Sequence, residues 1–141
     1  MSHIKIRGYI IDDEHFIYNS WLRSAQQDHP EMHKDKFFSS YKDHVTEMMQ
    51  RNDIIVACDP DDDMFIHGYM VFKKVEDELI IHWAYVKNPF RKLGVFRSMI
   101  RSVFPKVYEE PIFITYKNDK RQKMYESLLM VFTPHYRSLK L

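Results

Sequence analysis

The sequence predicts an α/β fold, and three observations lead there. Apolar runs of strand length and amphipathic stretches of helix length succeed one another as strand, helix, helix, three strands, helix, strand and helix. Two of those strands flank an acidic, proline-containing turn of the kind that closes a β-hairpin. One of only three glycines, Gly94, stands between an apolar strand and an amphipathic helix, where a chain must turn sharply.

Each element has its own reason. Ile4 to Ile11 alternates imperfectly and predicts a first strand. Asp12 or Asp13 then offers a carboxylate to the free amides of a helix reaching to about Gln26, with Phe16, Ile17, Trp21 and Leu22 as its buried stripe. Pro30 and its polar neighbours make Gln26 to Lys34 a loop. A second helix is expected over Lys36 to Arg51, burying Phe37, Tyr41, Val45, Met48 and Met49. Ile54 to Ala57 and Phe65 to Lys74 are the hairpin strands. Leu79 to Val86 is the strand before the Gly94 turn, and Met99, Ile100, Val103 and Phe104 mark the apolar face of the helix after it. Ile112 to Tyr116 reads as a further strand, Asn118 to Met130 as a helix, and Val131 to Leu141 has room for one last strand.

Composition narrows the function classes. A chain of 141 residues, 45% hydrophobic and 15% aromatic, is expected to be one domain spanning 1–141 with a sizeable core. No stretch approaches the roughly eighteen apolar residues of a membrane span, and no signal peptide is apparent, so the expectation is a soluble, cytoplasmic protein without a membrane partner. A net charge of +1 argues against a broad nucleic-acid-binding surface. Cys58, the single cysteine, ends an apolar run and reads as a strand residue rather than a nucleophile. Asp59, Asp61, Asp62 and Asp63 lack the spacing of a calcium loop and read as a solvated turn. His29 and His33 are four apart, but Pro30 separates them and no third ligand is evident, so no metal is expected.

The segment Arg91-Lys92-Leu93-Gly94-Val95-Phe96 carries the chemistry. A residue without a side chain lets the backbone approach an anion, the first amides of the next helix are unpaired, and Arg91 and Lys92 add positive charge. The alternative is a glycine that merely relieves a tight turn beside two solvated cations. The longer run from Leu79 through Val86, Pro89 and Gly94 resembles the acetyl-CoA-binding core of the GCN5-related N-acetyltransferases, the GNAT superfamily, written V-x-x-P-x-x-[QR]-x-x-G-x-[GA]. Val86, Pro89, Arg91 to Leu93 and Gly94 follow it with one residue fewer between the proline and the arginine; Phe96 then stands where the pattern has a small residue. A second, downstream likeness is to N-x-x-A-x-x-[LF]-Y-E-K-L-G-F. Asn118, Met124, Tyr125, Glu126 and Leu128 keep its spacing, while Arg121 replaces the alanine and Leu129 and Met130 the terminal glycine and aromatic.

The resemblance implies a mixed, mostly antiparallel central sheet, helices on both faces, and a splayed pair of parallel strands. It implies acetyl-CoA as co-substrate, an amine acceptor, and pairing of the cofactor's pantetheine arm with the main chain of Ala84, Tyr85 and Val86 beside Asn118. The phosphates would lie at Arg91, Lys92, Leu93, Gly94, Val95 and Phe96. Strict alternation along the strand would put Ile80, His82, Ala84 and Val86 on one face, with His82 as the titratable group there. Its ordinary pKa suits a general base, and the alternative is a core histidine satisfied by a neighbour. Tyr125 holds the position from which relatives protonate the departing thiolate; packing is its alternative role. Ile80 replaces the glutamate frequent in such enzymes. Together with Phe96 and the short tail it supports a second reading, a catalytically degenerate domain serving in a homo-oligomer or protein assembly.

Overall fold

A computed structural model describes residues 3–28, 30–116 and 121–134. Strands β1 (Lys5–Gly8), β2 (Asp53–Asp59), β3 (Asp62–Val75), β4 (Glu78–Val86), β5 (Ile112–Ile114) and β6 (Met130–Phe132) form one sheet in chain order. The first four are antiparallel neighbours, and β5 runs parallel to both β4 and β6. Helices α1 (Glu14–Gln27) and α2 (Lys34–Arg51) cover one face; α3 (Val95–Val103) and α4 (Gln122–Ser127) cover the other. This is the mixed, mostly antiparallel sheet with helices on both faces that the resemblance implied.

Each face has its own core. Ile17, Trp21 and Leu22 of α1 and Phe37, Val45 and Met48 of α2 pack on Val56, Tyr69, Val71 and Trp83. Phe16, Tyr41 and Met49 are only partly buried at its margin. Opposite them, Met99, Ile100 and Phe104 pack on Met70, Leu79, Ile81, Ile112 and Ile114. The amphipathic periods read in the sequence therefore have real partners, which is what stabilises helices of this length.

Four local features differ from the sequence expectation. Asp13 sits at the start of α1, but its carboxylate caps no helix amide. It is fully buried and pairs with both Arg7 Nη atoms at 2.8 and 2.9 Å, and it accepts the Ile10 N–H at 2.9 Å. The pair locks the end of β1 to the start of α1. The expected helix over Asn118 to Met130 is, among the described residues, only Gln122–Ser127. Leu129 adopts a left-handed φ of 56°, and Met130 begins β6 instead. The expected strand over Ile112 to Tyr116 stops at Ile114, after which β5 leaves β4.

The fourth feature is decisive for the site. Alternation along β4 is broken, because Val71 opposes Trp83 while the next residue, Phe72, opposes Ile81, leaving His82 as an extra residue. Such a bulge bends its strand and re-aims the side chains beyond it. Ala84 and Val86 consequently share the α3 face with Leu79 and Ile81, while Trp83 and Tyr85 point into the α1 core. The expected common face of Ile80, His82, Ala84 and Val86 is thus corrected by one inserted residue.

Candidate active site

The bulge lies where β4 and β5 part. Their last shared backbone bond runs from the Thr115 N–H to the Ile81 carbonyl, at 3.1 Å. One residue on, His82 Nδ1 lies 2.9 Å from the Thr115 hydroxyl, so the histidine is 6% exposed and tied across the fork. Past that tie, Trp83 to Val86 keep β3 on one side and, among the described residues, have no strand on the other.

The gap is a cavity of about 140 Å³, walled by Trp83 to Val86 on β4, Tyr116 after β5, Arg121 and Met124 at α4, and Ser24, Gln27 and Asp28 at the end of α1. It adjoins a wider space of about 610 Å³, lined among others by Arg91, Lys92, Gly94, Arg97, Arg121 and Lys123. Val86, Arg91, Phe96, Arg121 and Met124 line both, making one continuous groove. The two ends differ in charge. The wide end is cationic, with no carboxylate among its described lining residues, whereas the narrow end sets Asp28, the one carboxylate among its described lining residues, beside Arg91 and Arg121.

The turn between β4 and α3 has the geometry that anion binding needs. Gly94 has φ of +82°, and a Cβ built on it would meet nothing within 4 Å, so conformation rather than crowding selects glycine there. Lys92 is also left-handed, with φ of 65°. No side chain caps α3, and its first intrahelical bond runs from the Ser98 N–H to the Gly94 carbonyl at 3.0 Å, so the amides of Val95, Phe96 and Arg97 precede the ladder. Arg91 donates from Nε to the Val86 carbonyl at 2.8 Å and its guanidinium stands 5.9 Å over the Tyr85 ring, which fixes a cation at the mouth of the fork.

Of the residues expected from sequence, Ala84, Tyr85, Val86, Arg91, Lys92, Gly94, Val95 and Phe96 line the groove. Leu93 is 70% exposed and outside it, and Asn118 lies outside the described residues. Phe96 is half-buried at the junction of the two spaces. His82 and Tyr125 are near the groove but not on its wall; Tyr125 is 5% exposed in the α3-face core.

Sequence reasoning missed Tyr116, which does line the narrow end. Its ring stands 5.1 Å from Trp83, and Trp83 in turn stacks on Trp21 at 5.4 Å and 8°. Burial pushes the Tyr116 phenol above its ordinary pKa, and the neighbouring Tyr125 adds to that rise, so the phenol stays protonated at neutral pH. Gly68 was missed as well. A Cβ there would come within 2.5 Å of the Tyr85 carbonyl, so glycine permits β3 to approach the outer half of β4.

No protein-family profile matches this chain, and no curated protein matches it in sequence. Solved structures do match it in fold. A structure described as a possible acetyltransferase from Clostridium difficile 630 is 16% identical, with a TM-score of 0.64 over 94% of this chain and 92% of that one. A histone acetyltransferase HPA2-related acetyltransferase from Corynebacterium glutamicum ATCC 13032 is 12% identical, with a TM-score of 0.66 over 90% of this chain and 84% of that one. AAC(6')-Iy, solved with the bisubstrate analogue CoA-S-monomethyl-acetylneamine, is 17% identical, with a TM-score of 0.52 over 94% of this chain and 93% of that one. At these identities the likeness establishes the fold, which is that of the GNAT acetyltransferases.

Proposed function

We propose that the protein is an acetyl-CoA-dependent N-acetyltransferase. The observation that carries this reading is the groove itself: a half-strand with one edge open among the described residues leads without a break to a cationic, left-handed turn at an uncapped helix start. An extended pantetheine arm carries amides that can complete the open side of Trp83 to Val86 as an added strand would. The diphosphate then meets the amides of Val95 and Phe96, with Arg91, Lys92 and Arg121 neutralising its charge.

The amine attacks the thioester carbonyl, the carbon–sulfur bond breaks, and the thiolate takes up a proton while the amine loses one. We assign these proton movements to His82 and Tyr125 acting at the end of β5. His82 is bonded to Thr115, and Tyr125 lies behind Tyr116, whose protonated phenol faces the cavity.

Calorimetric titration with acetyl-CoA and with CoA tests the reading. Binding with a dissociation constant on the order of micromolar is expected, weakened in Gly94→Asp. A well-folded wild type that binds neither would overturn it. Phe96 at the junction favours a second reading, a GNAT-like binding or structural module whose phosphate channel is blocked. That reading requires wild type not to bind and Phe96→Ala to gain binding.

A further inference from the structure

A second groove lies between α1 and α2, and we propose that it docks an acidic peptide segment of a partner protein, one that carries two carboxylates with an apolar side chain midway between them. The space is about 590 Å³ and shares no described lining residue with the groove at the fork, so the inference stands apart from the acetyltransferase reading.

Charge comes first. Arg23 of α1 and Lys34 and Lys42 of α2 line the space, all three exposed, and no carboxylate is among its described lining residues. Asp35 and Asp43 of α2 lie outside the lining. None of the three cations forms an ion pair with a described residue, whereas Arg51, farther along α2, is paired with Glu47 at 3.3 Å. In a chain of net charge +1 this is segregation rather than general basicity. Like charges gathered on one surface raise its potential and favour an anion from outside.

Spacing then selects the occupant. Lys34 and Lys42 are separated by about two helical turns, or about 12 Å at the α-helical rise. One carboxylate or phosphate group cannot neutralise both. In an extended peptide, alternate side chains share a face, and positions one and five are about 13 Å apart, so carboxylates at those two positions reach both lysines.

The floor between the lysines suits the position midway. Phe38 occupies the turn of α2 between them, partly buried, with Lys34 Nζ 5.7 Å from its ring centroid, and Tyr18 and Leu22 of α1 line the same space. An apolar side chain at position three of the peptide projects on the same face as the two acids and covers this floor, which a free anion would leave exposed to water. Asn19, which both donates and accepts, is placed to bond the peptide backbone.

Calorimetry of the full chain tests this with an N-acetylated, C-amidated pentapeptide that has glutamate first and last, phenylalanine in the middle and serine between. A dissociation constant on the order of 0.1 mM is expected at low ionic strength, weakening as salt is added. Glutamine in place of both glutamates, or Lys34→Gln combined with Lys42→Gln in the protein, should weaken binding roughly tenfold, because each exposed ion pair contributes up to about fivefold. Alanine in place of the peptide's phenylalanine should also weaken it, and Lys34→Arg with Lys42→Arg should retain it. These side chains are exposed, so the variants should keep the wild-type unfolding temperature. No binding by the wild type, equal binding of the glutamine peptide, or indifference to the double glutamine substitution overturns the inference. Tighter binding of inorganic phosphate or of oligothymidylate at these lysines would overturn it in favour of a phosphate or nucleic-acid site. Self-association of the free chain that the double glutamine variant abolishes would overturn it in favour of a second copy.

Discussion

The two halves of β4 are nine residues of one strand with opposite fates. Before His82, Leu79 to Ile81 are buried, with Ile80 and Ile81 paired to strands on both sides; after it, Trp83 to Val86 pair, among the described residues, with β3 alone and border a groove. Polarity does not separate the halves, since Leu79 to Ile81 are aliphatic and Trp83 to Val86 aromatic or aliphatic. A single extra residue does, by rotating the outer half and letting β5 depart. A sheet can thus acquire a binding edge without a polar strand.

The largest expected effect falls on the tie that holds the sheet to α1 rather than on the groove. Asp13→Ala leaves Arg7 partly buried without its partner and should cost about 3 kcal/mol in denaturant unfolding. CoA affinity of the folded protein should be unchanged, separating the stability of the inner sheet from function at the outer edge. A loss below 1 kcal/mol would mean that Asp13 is not the anchor described.

Gly94→Asp acts at the other region. Strain at φ of +82° together with a negative charge at the phosphate seat should weaken CoA by roughly a hundredfold. Gly94→Asn, which tolerates left-handed backbone and adds no charge, should lose far less. Equal losses would indicate strain as the only cause.

Within the fork, Tyr125→Phe should lower kcat by about tenfold with CoA affinity nearly intact. Full activity would remove Tyr125 from proton transfer. His82→Gln can still bond Thr115, so it should preserve folding while flattening the acidic limb of the pH–rate profile. An unchanged profile would leave His82 only its structural tie.

The smallest effect concerns His67, buried against Phe90 at 3.8 Å, whose pKa is lowered by desolvation. A depressed folded-state pKa means that the unfolded chain binds its proton first. Stability is therefore full above about pH 6.5 and declines as pH falls from there to the folded-state value. His67→Gln should remove that decline from thermal scans at successive pH values. A variant that keeps the same slope would place the titration elsewhere.

Most of this architecture was legible because its signals are local. Gly94 announces its turn through rarity and position, the helices announce themselves by period, and the hairpin by Pro60 and its aspartates. The bulge was not legible, since His82 among Ile80, Ile81 and Trp83 looks like any strand residue and only the register with Val71 and Phe72 exposes it. The end of α4 was hidden for a related reason: Leu128, Leu129 and Met130 continue an apolar pattern, and no glycine marks the left-handed turn at Leu129. Arg7 with Asp13, and Asp28 with Tyr116, meet only through the tertiary fold. Side chains brought together from distant elements leave no trace in spacing.

Hydrogen exchange along β4, with and without saturating CoA, tests the central claim most directly. The account predicts that amides in Trp83 to Val86 exchange faster than those in Leu79 to Ile81 in the free protein and gain about tenfold or more protection with CoA, while the inner half is unmoved. Unaltered exchange in the outer half with CoA demonstrably bound, or protection confined to another face of the sheet, would contradict it.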